Sequence, residues 1–368
     1  MTSLTTVIHP PVDRRRRLAE ALTRARLDAL AVAHLPNVRY LTGFTGSNAL
    51  LLLAGQRALL YTDPRYTLQA RAECDIPVRI VAQGPLWTEV VRETQRRAVQ
   101  TLGLEATHLS HAQWQAVAQS LGRLVRLKDG SGLVERLRLI KDTQEVEAIR
   151  RSVALAAKAY SKAIRKARTG MKELELAAEL DHQMRLLGAE GPAFETIVAA
   201  GERSALPHAR PTTRPIGANQ ILLVDMGASL NGYASDMTRV VHTGPPSAEA
   251  KRLYDAVSAA QAAAVAAVAP GVTASHVDAA ARNVLRKHGL ARYFTHSTGH
   301  GLGLEIHEGP RLGRLVDTIL DPGMMLTIEP GAYIKGFGGV RIEDTVLVTP
   351  TGVEVLTPTS KEFLEIPS

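Results

Sequence analysis

Apolar positions recur at two different rhythms along the chain, and the change of rhythm divides it. In the first third, helix-like and strand-like stretches alternate. Val12, Leu18, Ala21, Leu22 and Ala25 fall on one face of a helix over Asp13–Leu27, and Ala29–Ala33 reads as a short buried strand closed by Pro36-Asn37. Ala49–Leu53 and Arg57–Tyr61 read as strands joined by Ala54-Gly55-Gln56. Asp63-Pro64 marks a helix start, with the aspartate as cap and the proline in the first turn, where its missing N–H costs nothing. Val78–Val81 adds a strand and Ser110–Leu121 a helix, so this third predicts a small α/β domain.

From Asp142 to Arg168 one long helix is predicted, because Val146, Ile149, Val153, Ala156, Ala157, Tyr160 and Ile164 keep helical spacing. The domain boundary is placed just before it, near Gly130–Gly132, giving domains over 1–131 and 132–368. Beyond that point, helices over Leu174–Leu187, Glu249–Ala269 and Ser275–Lys287 alternate with paired strands. The pairs are Ile221–Met226 with Tyr233–Val241 and Met325–Tyr333 with Gly339–Val348. Strands that come in pairs predict an antiparallel sheet carrying helices, an α+β arrangement. Two successive helix-plus-hairpin blocks suggest an internal duplication, although no repeat of sequence accompanies them.

Composition narrows the classes. With 368 residues, 45% apolar and 22% charged, the chain is an ordinary globular protein of two domains, neither disordered nor fibrous. Cys74 is the single cysteine, so no internal disulfide forms, and its acidic neighbours Glu73 and Asp75 disfavour a reactive thiolate. The longest apolar runs, Ala49–Ala54 and Ala262–Ala269, fall far short of the ~20 residues that span a bilayer. No apolar stretch precedes Arg14–Arg17, so no secretory signal is read and a cytoplasmic location is expected. The net charge of +8 lies mostly in the first 130 residues, but its arginines are dispersed, and only Arg14–Arg17 form a block, which is expected to be a solvated helix face. Neither a nucleic-acid nor a membrane partner is expected.

The chemistry concentrates between His208 and Glu343. Asp225 follows four apolar residues in Ile221–Met226, and Asp236 lies in the next strand, with Asn231-Gly232 between them as a two-residue hairpin turn. That turn sets Gly227 opposite Asp236 and Asp225 on the diagonal of the same face. Two such carboxylates repel unless a proton or cation sits between them. Thr298-Gly299-His300-Gly301-Leu302-Gly303 places a histidine among small residues. Glu329 precedes a turn in Thr327–Gly331, and Glu343 lies in the strand paired with it. Two Asp, two Glu and one His suit two divalent cations such as Mn²⁺, Co²⁺ or Zn²⁺ better than a structural zinc, which favours cysteine.

These residues and the words around them, VDMGA, SDMTR, TGHGLG, IEPG and RIEDT, resemble the pita-bread metallopeptidases, and most closely the proline-specific branch of Xaa-Pro aminopeptidases and prolidases. NVRYLTGFTGSNALLLL (Asn37–Leu53) is similar to the creatinase-type N-terminal domain of that branch. The resemblance implies an α/β creatinase-like domain followed by an α+β pita-bread catalytic domain. It implies that Asp225, Asp236 and Glu343 hold one metal and that Asp236, His300, Glu329 and Glu343 hold the second, with Mn²⁺ the expected ion. Glu329 would also shuttle the proton, and His208 and His307 would stabilise the tetrahedral intermediate. His296 and Arg341 match residues near the substrate. The implied substrate is a peptide with proline in second position, and the expected assembly is a homodimer.

Substrate length is left to one consideration. A dipeptidase needs a cation to pair with the free carboxylate of the proline, and Arg39 in Asn37–Leu41 is the candidate. As the arginine also reads as a solvated residue on a short helix, the expectation is an Xaa-Pro aminopeptidase, with prolidase as the alternative. A methionine aminopeptidase would lack the additional N-terminal domain. A non-catalytic binding module of the same shape is disfavoured by the intact set of five ligands.

Overall fold

The leucine run after Ala49 becomes an inner strand of a six-stranded sheet. The computed structural model describes residues 10–367, and the chain divides into two units between Arg138 and Leu139. The N-terminal unit runs α1 (Pro10–Ala25), β1 (Ala29–Val32), α2 (Leu35–Thr42), β2 (Ala49–Ala54), β3 (Arg57–Thr62), α3 (Thr67–Glu73), β4 (Val78–Ile80), α4 (Leu86–Arg96), β5 (Thr101–Leu104), α5 (His111–Leu121), β6 (Arg126–Asp129) and α6 (Leu133–Arg138). Its sheet has the order β4-β3-β2-β1-β5-β6, antiparallel through β1–β2–β3 and parallel outside them. Every residue of β1 is buried, so both faces of the strand are covered and its sequence is uniformly apolar.

Pro36-Asn37 does not end an element, as its composition predicts. It lies in the first turn of α2, with proline where no N–H is needed. Asn37 is buried and ties α6 to this unit. Its Nδ2 donates to Glu105 and Glu135 at 2.7 Å each, and its Oδ1 accepts from Arg138 at 2.7 Å.

In the C-terminal unit the long predicted helix is α7 (Thr143–Ile164). Asp142 caps it, accepting from Gln144 N and Glu145 N, while Glu145 accepts from Asp142 N in return. It ends before Arg168 because Lys166 N and Ala167 N bond three residues back, to Ala163 O and Ile164 O, tightening the last turn. α8 (Glu173–Leu186), α9 (Ala248–Ala266) and α10 (Ala274–Lys287) follow the expected stretches.

Four sheets hold the strands of this unit. β20 (Glu365–Ile366), β12 (Met237–Thr243), β9 (Ile221–Met226) and β8 (Ile197–Ala200) form one; β11 (Tyr233–Ala234), β10 (Ala228–Leu230) and β7 (Gly191–Pro192) form a second. β14 (Glu308–Leu312), β13 (Gly299–Gly301), β15 (Met325–Ile328), β18 (Asp344–Thr349) and β19 (Gly352–Val355) form a third, and β16 (Gly331–Ile334) pairs with β17 (Gly338–Arg341). Alternate residues of β9 enter different cores. Leu222, Val224 and Met226 pack with α7 and α8, whereas Ile221 and Leu223 pack with α9 and α10. By the two-residue period of a strand, Asp225 shares the second face.

The pair Met325–Tyr333 with Gly339–Val348 is not continuous, as the apolar pattern predicts. It breaks at Glu329-Pro330 and at Ile342-Glu343, so that β15 pairs with β18 and β16 with β17. Pro330 offers no N–H, and the flanking donors turn sideways: Glu329 N bonds Thr298 O at 2.7 Å and Glu343 N bonds Thr238 O at 3.2 Å. The breaks are what gather the acidic side chains.

Candidate metal centre

β9 and β12 are antiparallel, with Asp225 opposite Thr238 and Met226 opposite Met237. The register continues through Ser229 opposite Ala234, which sets Gly227 against Asp236 as the turn predicts. Asn231 and Gly232 both have positive φ, 50° and 74°, the conformation that suits a two-residue hairpin. Asp225 and Asp236 are thus brought together on the diagonal.

The other three residues arrive from β13, from the end of β15 and from the residue before β18. A Cβ on Gly299 would stand 1.9 Å from Thr327 O, so only glycine lets this strand approach β15 closely enough. Thr327 Oγ1 accepts from His300 N at 3.1 Å and faces Glu329 Oε1 at 3.4 Å. His300 Nδ1 lies 3.0 Å from Gly301 O; donating its proton there leaves Nε2 as a bare lone pair. That Nε2 is 3.6 Å from Asp236 Oδ2 and 3.5 Å from Glu329 Oε1. Two donors each about 2.1 Å from one ion stand at about this separation. One donor atom each from Asp236, His300 and Glu343 also lies within 4.8 Å of the others.

The electrostatics of the cluster favour a cation. Burial, with the charges of Glu343, Asp225 and Glu329, pushes the Asp236 carboxyl far above the usual carboxylate range. Burial with Glu329 and Asp225 does the same to Glu343. Burial pushes Glu329 up to about 7 against the pull of Arg341. Asp225 Oδ1 and Asp236 Oδ1 are buried without a hydrogen-bond partner. Buried carboxylates left like this are costly unless cations enter. The single imidazole is held neutral, burial lowering His300 to about 4. Orphaned oxygens, a neutral imidazole and an oxygen-rich set fit divalent ions of the Mn²⁺, Co²⁺ or Zn²⁺ type.

The sign of the Glu329 shift has a consequence for metal-free protein. A carboxyl whose folded pKa rises from 4.5 to about 7 contributes stability at low pH that is lost as pH climbs through that window. Chemical denaturation of metal-free wild type and Glu329→Gln is therefore expected to diverge, the variant gaining relative stability towards neutral pH. A difference that does not vary with pH would contradict the shift.

The site opens into a cavity of about 670 Å³ in the C-terminal unit. Besides the five candidate donors, His208, His296, His307 and Arg341 line it, so the residues singled out in this unit converge. His307 packs edge-on against His300, with ring centroids 4.5 Å apart. Burial, then the neighbouring His208, lowers the His307 pKa. Arg39 lies on α2 of the N-terminal unit and is half-buried.

Arg341 and His296 are engaged with the protein itself. Arg341 Nη2 donates to Asp225 Oδ2 at 2.5 Å, Nη1 to Tyr333 Oη at 2.7 Å and to Pro207 O at 3.1 Å, and Nε to Thr238 Oγ1 at 3.0 Å. Thr238 Oγ1 in turn donates to Glu343 Oε2 at 2.7 Å. His296 is lowered to about 4 by burial and by Arg341. Its Nδ1 is 2.8 Å from Ser297 O and its Nε2 2.9 Å from Tyr333 Oη, so neither ring nitrogen is left for a substrate. Thr238 and Tyr333, which no motif singles out, are the links that connect Arg341 to the cluster. One further cation stands on the cavity wall. Arg311 of β14 is exposed and makes no ion pair or side-chain hydrogen bond among the described residues, whereas Arg210 is held by Glu195 at 3.1 Å.

Comparison with known proteins supplies the family. The model of Metallopeptidase family M24 matches residues 147–350, and that of the Creatinase/Prolidase N-terminal domain matches residues 14–140. The chain belongs to metallopeptidase family M24. An Xaa-Pro dipeptidase of Pyrococcus furiosus is 37% identical over 353 residues, spanning 96% of this chain and 99% of that one. Among solved structures, an Xaa-Pro dipeptidase from Bacillus anthracis aligns at TM-score 0.94 with 37% identity over 97% of this chain and all of that one. An X-Pro aminopeptidase from Thermotoga maritima aligns at 0.88 with 34% identity over 94% of this chain and all of that one. This M24 chain is therefore a hydrolase, a metallopeptidase with a creatinase-type N-terminal domain and a pita-bread catalytic domain. Among the described residues no helix is long and apolar enough to cross a membrane.

Proposed function

We propose that this chain is an Xaa-Pro dipeptidase that works with two divalent ions, Mn²⁺ first among them. Asp225, Asp236 and Glu343 would hold one ion and Asp236, His300, Glu329 and Glu343 the other. Bound there, such ions polarise a scissile carbonyl and lower the pKa of water towards neutrality. Glu329, beside His300 at the edge of the cluster, would take a proton from the attacking water and pass it to the leaving imide nitrogen of proline. His208 and His307, both on the cavity wall, would donate to the oxygen that gains charge as the carbonyl carbon becomes tetrahedral. Arg341, braced by Tyr333 and His296, orients Asp225.

The observation that carries the choice of dipeptidase is Arg311. The sequence alone favours an aminopeptidase because it shows no committed cation for a free proline carboxylate. Arg311 on the cavity wall would serve, its guanidinium without a partner among the described residues. The Xaa-Pro dipeptidases among the relatives weigh the same way.

The test compares an Xaa-Pro dipeptide, the same dipeptide as its C-terminal amide, and an Xaa-Pro-Xaa tripeptide. Wild type is expected to prefer the free dipeptide. Arg311→Ala is expected to lose about 10–100-fold in kcat/KM on the dipeptide, the worth of a charge-assisted hydrogen bond, and little on the amide. A wild type that turns over the tripeptide at least as well as the dipeptide, with Arg311→Ala affecting both equally, would return the assignment to an aminopeptidase.

A further inference from the structure

The match to the M24 family ends at residue 350, yet the segment after it folds back onto the strands that carry the acidic cluster. β20 adds in parallel to β12, with His242 opposite Glu365 and Thr243 opposite Ile366. Just before it, Phe363 stacks on Tyr254 with centroids 4.2 Å apart, and Tyr254 Oη donates to Lys361 O at 2.7 Å.

Beneath this tail lies Arg239, buried, with all five of its N–H donors used. Nε donates to Ser360 O at 2.9 Å. Nη1 donates to Thr238 O at 2.9 Å and to Glu343 O at 2.5 Å. Nη2 donates to Asp344 Oδ1 and to Thr359 O, each at 2.7 Å. One guanidinium thus grips the backbone of both site-bearing strands and of the tail. Asp344, fully buried, is completed on its other oxygen by Gln261 Nε2 at 2.8 Å and by Lys361 Nζ at 2.6 Å. Neighbouring strand residues point to opposite faces, so Arg239 and Asp344 lie behind Thr238 and Glu343, away from the cavity.

We infer that Lys361 is a positioning residue for Glu343, and that the C-terminal tail is part of the frame that binds metal. This rests on the reading of Glu343 as a metal-holding residue. Asp344 carries a buried negative charge beside a site already rich in carboxylates, and Arg239 and Lys361 share its compensation. A buried pair stripped of one cation is strongly perturbed, because the remaining partner must satisfy the charge alone. Without Lys361, Arg239 is the sole cation on Asp344; it keeps its bonds to Ser360 O and Thr359 O, but the uncompensated carboxylate draws the guanidinium away from Glu343 O and Thr238 O. Glu343 then loses the backbone placement that aims its carboxylate.

The experiment titrates full-length, metal-free protein with Mn²⁺ by calorimetry, comparing wild type, Lys361→Ala, Lys361→Arg and Phe363→Ala, with a thermal melt of each. Lys361→Ala is expected to weaken Mn²⁺ binding about 10-fold, the usual cost of removing a group that orients a metal ligand. Lys361→Arg is expected to restore most of that affinity. Phe363→Ala, which removes the apolar anchor but keeps the ammonium, is expected to lower the melting temperature more than the affinity. Wild-type affinity in Lys361→Ala would overturn the inference. So would an equal loss in Phe363→Ala with no rescue by arginine, which would reduce the tail to packing alone. A wild type that takes up no Mn²⁺ would instead overturn the metal reading beneath it.

Discussion

Asp236→Asn is expected to leave no measurable peptidase activity and to lower the metal content of the purified protein. Asp236 is the residue on which the cluster converges: its Oδ2 faces His300 Nε2, its Oδ1 is buried without a partner, and it lies diagonal to Asp225 across the hairpin. A carboxylate there can serve two ions, and an amide supplies neither the charge nor the second oxygen donor. The same substitution should not weaken the metal-free fold. Asp236 is disfavoured as an anion by burial and by Glu343, Asp225 and Glu329, so a neutral side chain relieves repulsion. Elemental analysis and melts of metal-free protein, run beside the activity assay, separate the two effects. Two ions per chain and near-normal turnover in the variant would remove Asp236 from the site.

His208→Ala and His307→Ala are expected to keep their metal but to lose about 10²–10³ in kcat, the cost of deleting one donor to a developing oxyanion. Both side chains line the cavity, and neither has a hydrogen-bond or ion-pair partner among the described residues that would be lost with it. A structural role would instead show as a changed melting temperature or metal content. Steady-state kinetics on an Xaa-Pro dipeptide with metal content measured in parallel checks this, and unchanged kcat in both variants would refute the roles.

Three of the five candidate donors are legible in the sequence for a local reason. His300 stands between two glycines and Asp236 is reached through the hairpin, but Asp225, Glu329 and Glu343 each sit where an apolar run stops at or near a glycine, a proline or a second acid, as in Asp225-Met226-Gly227 and Glu329-Pro330-Gly331. Such positions cannot be ordinary core. The hairpin register followed from Asn231-Gly232, whose two positive φ angles fix a two-residue turn. What surrounds the donors was not legible, because it depends on contacts between segments far apart in the chain. Thr238 and Glu343 are 105 residues apart and Arg341 and Asp225 are 116 apart, and no spacing rule reaches across such distances. Tyr333 reads as a strand aromatic and Arg239 as a charge in a strand, until the break at Pro330 and the returning tail place them. Arg311 has no pattern at all to set it apart from the other arginines; only the cavity wall singles it out. That is why the sequence turned to Arg39 for the proline carboxylate and leaned towards the longer substrate.

The central claim is that the acidic cluster is a two-ion centre on which hydrolysis of Xaa-Pro depends. Its most direct test is a stepwise Mn²⁺ titration of chelator-stripped enzyme, with bound metal and Xaa-Pro dipeptide hydrolysis measured at every point. The stripped protein is expected to be inactive, to saturate at two ions per chain, and to gain activity as the centre fills. Hydrolysis that survives complete removal of metal, or a saturated centre that leaves the Xaa-Pro bond intact, would contradict it.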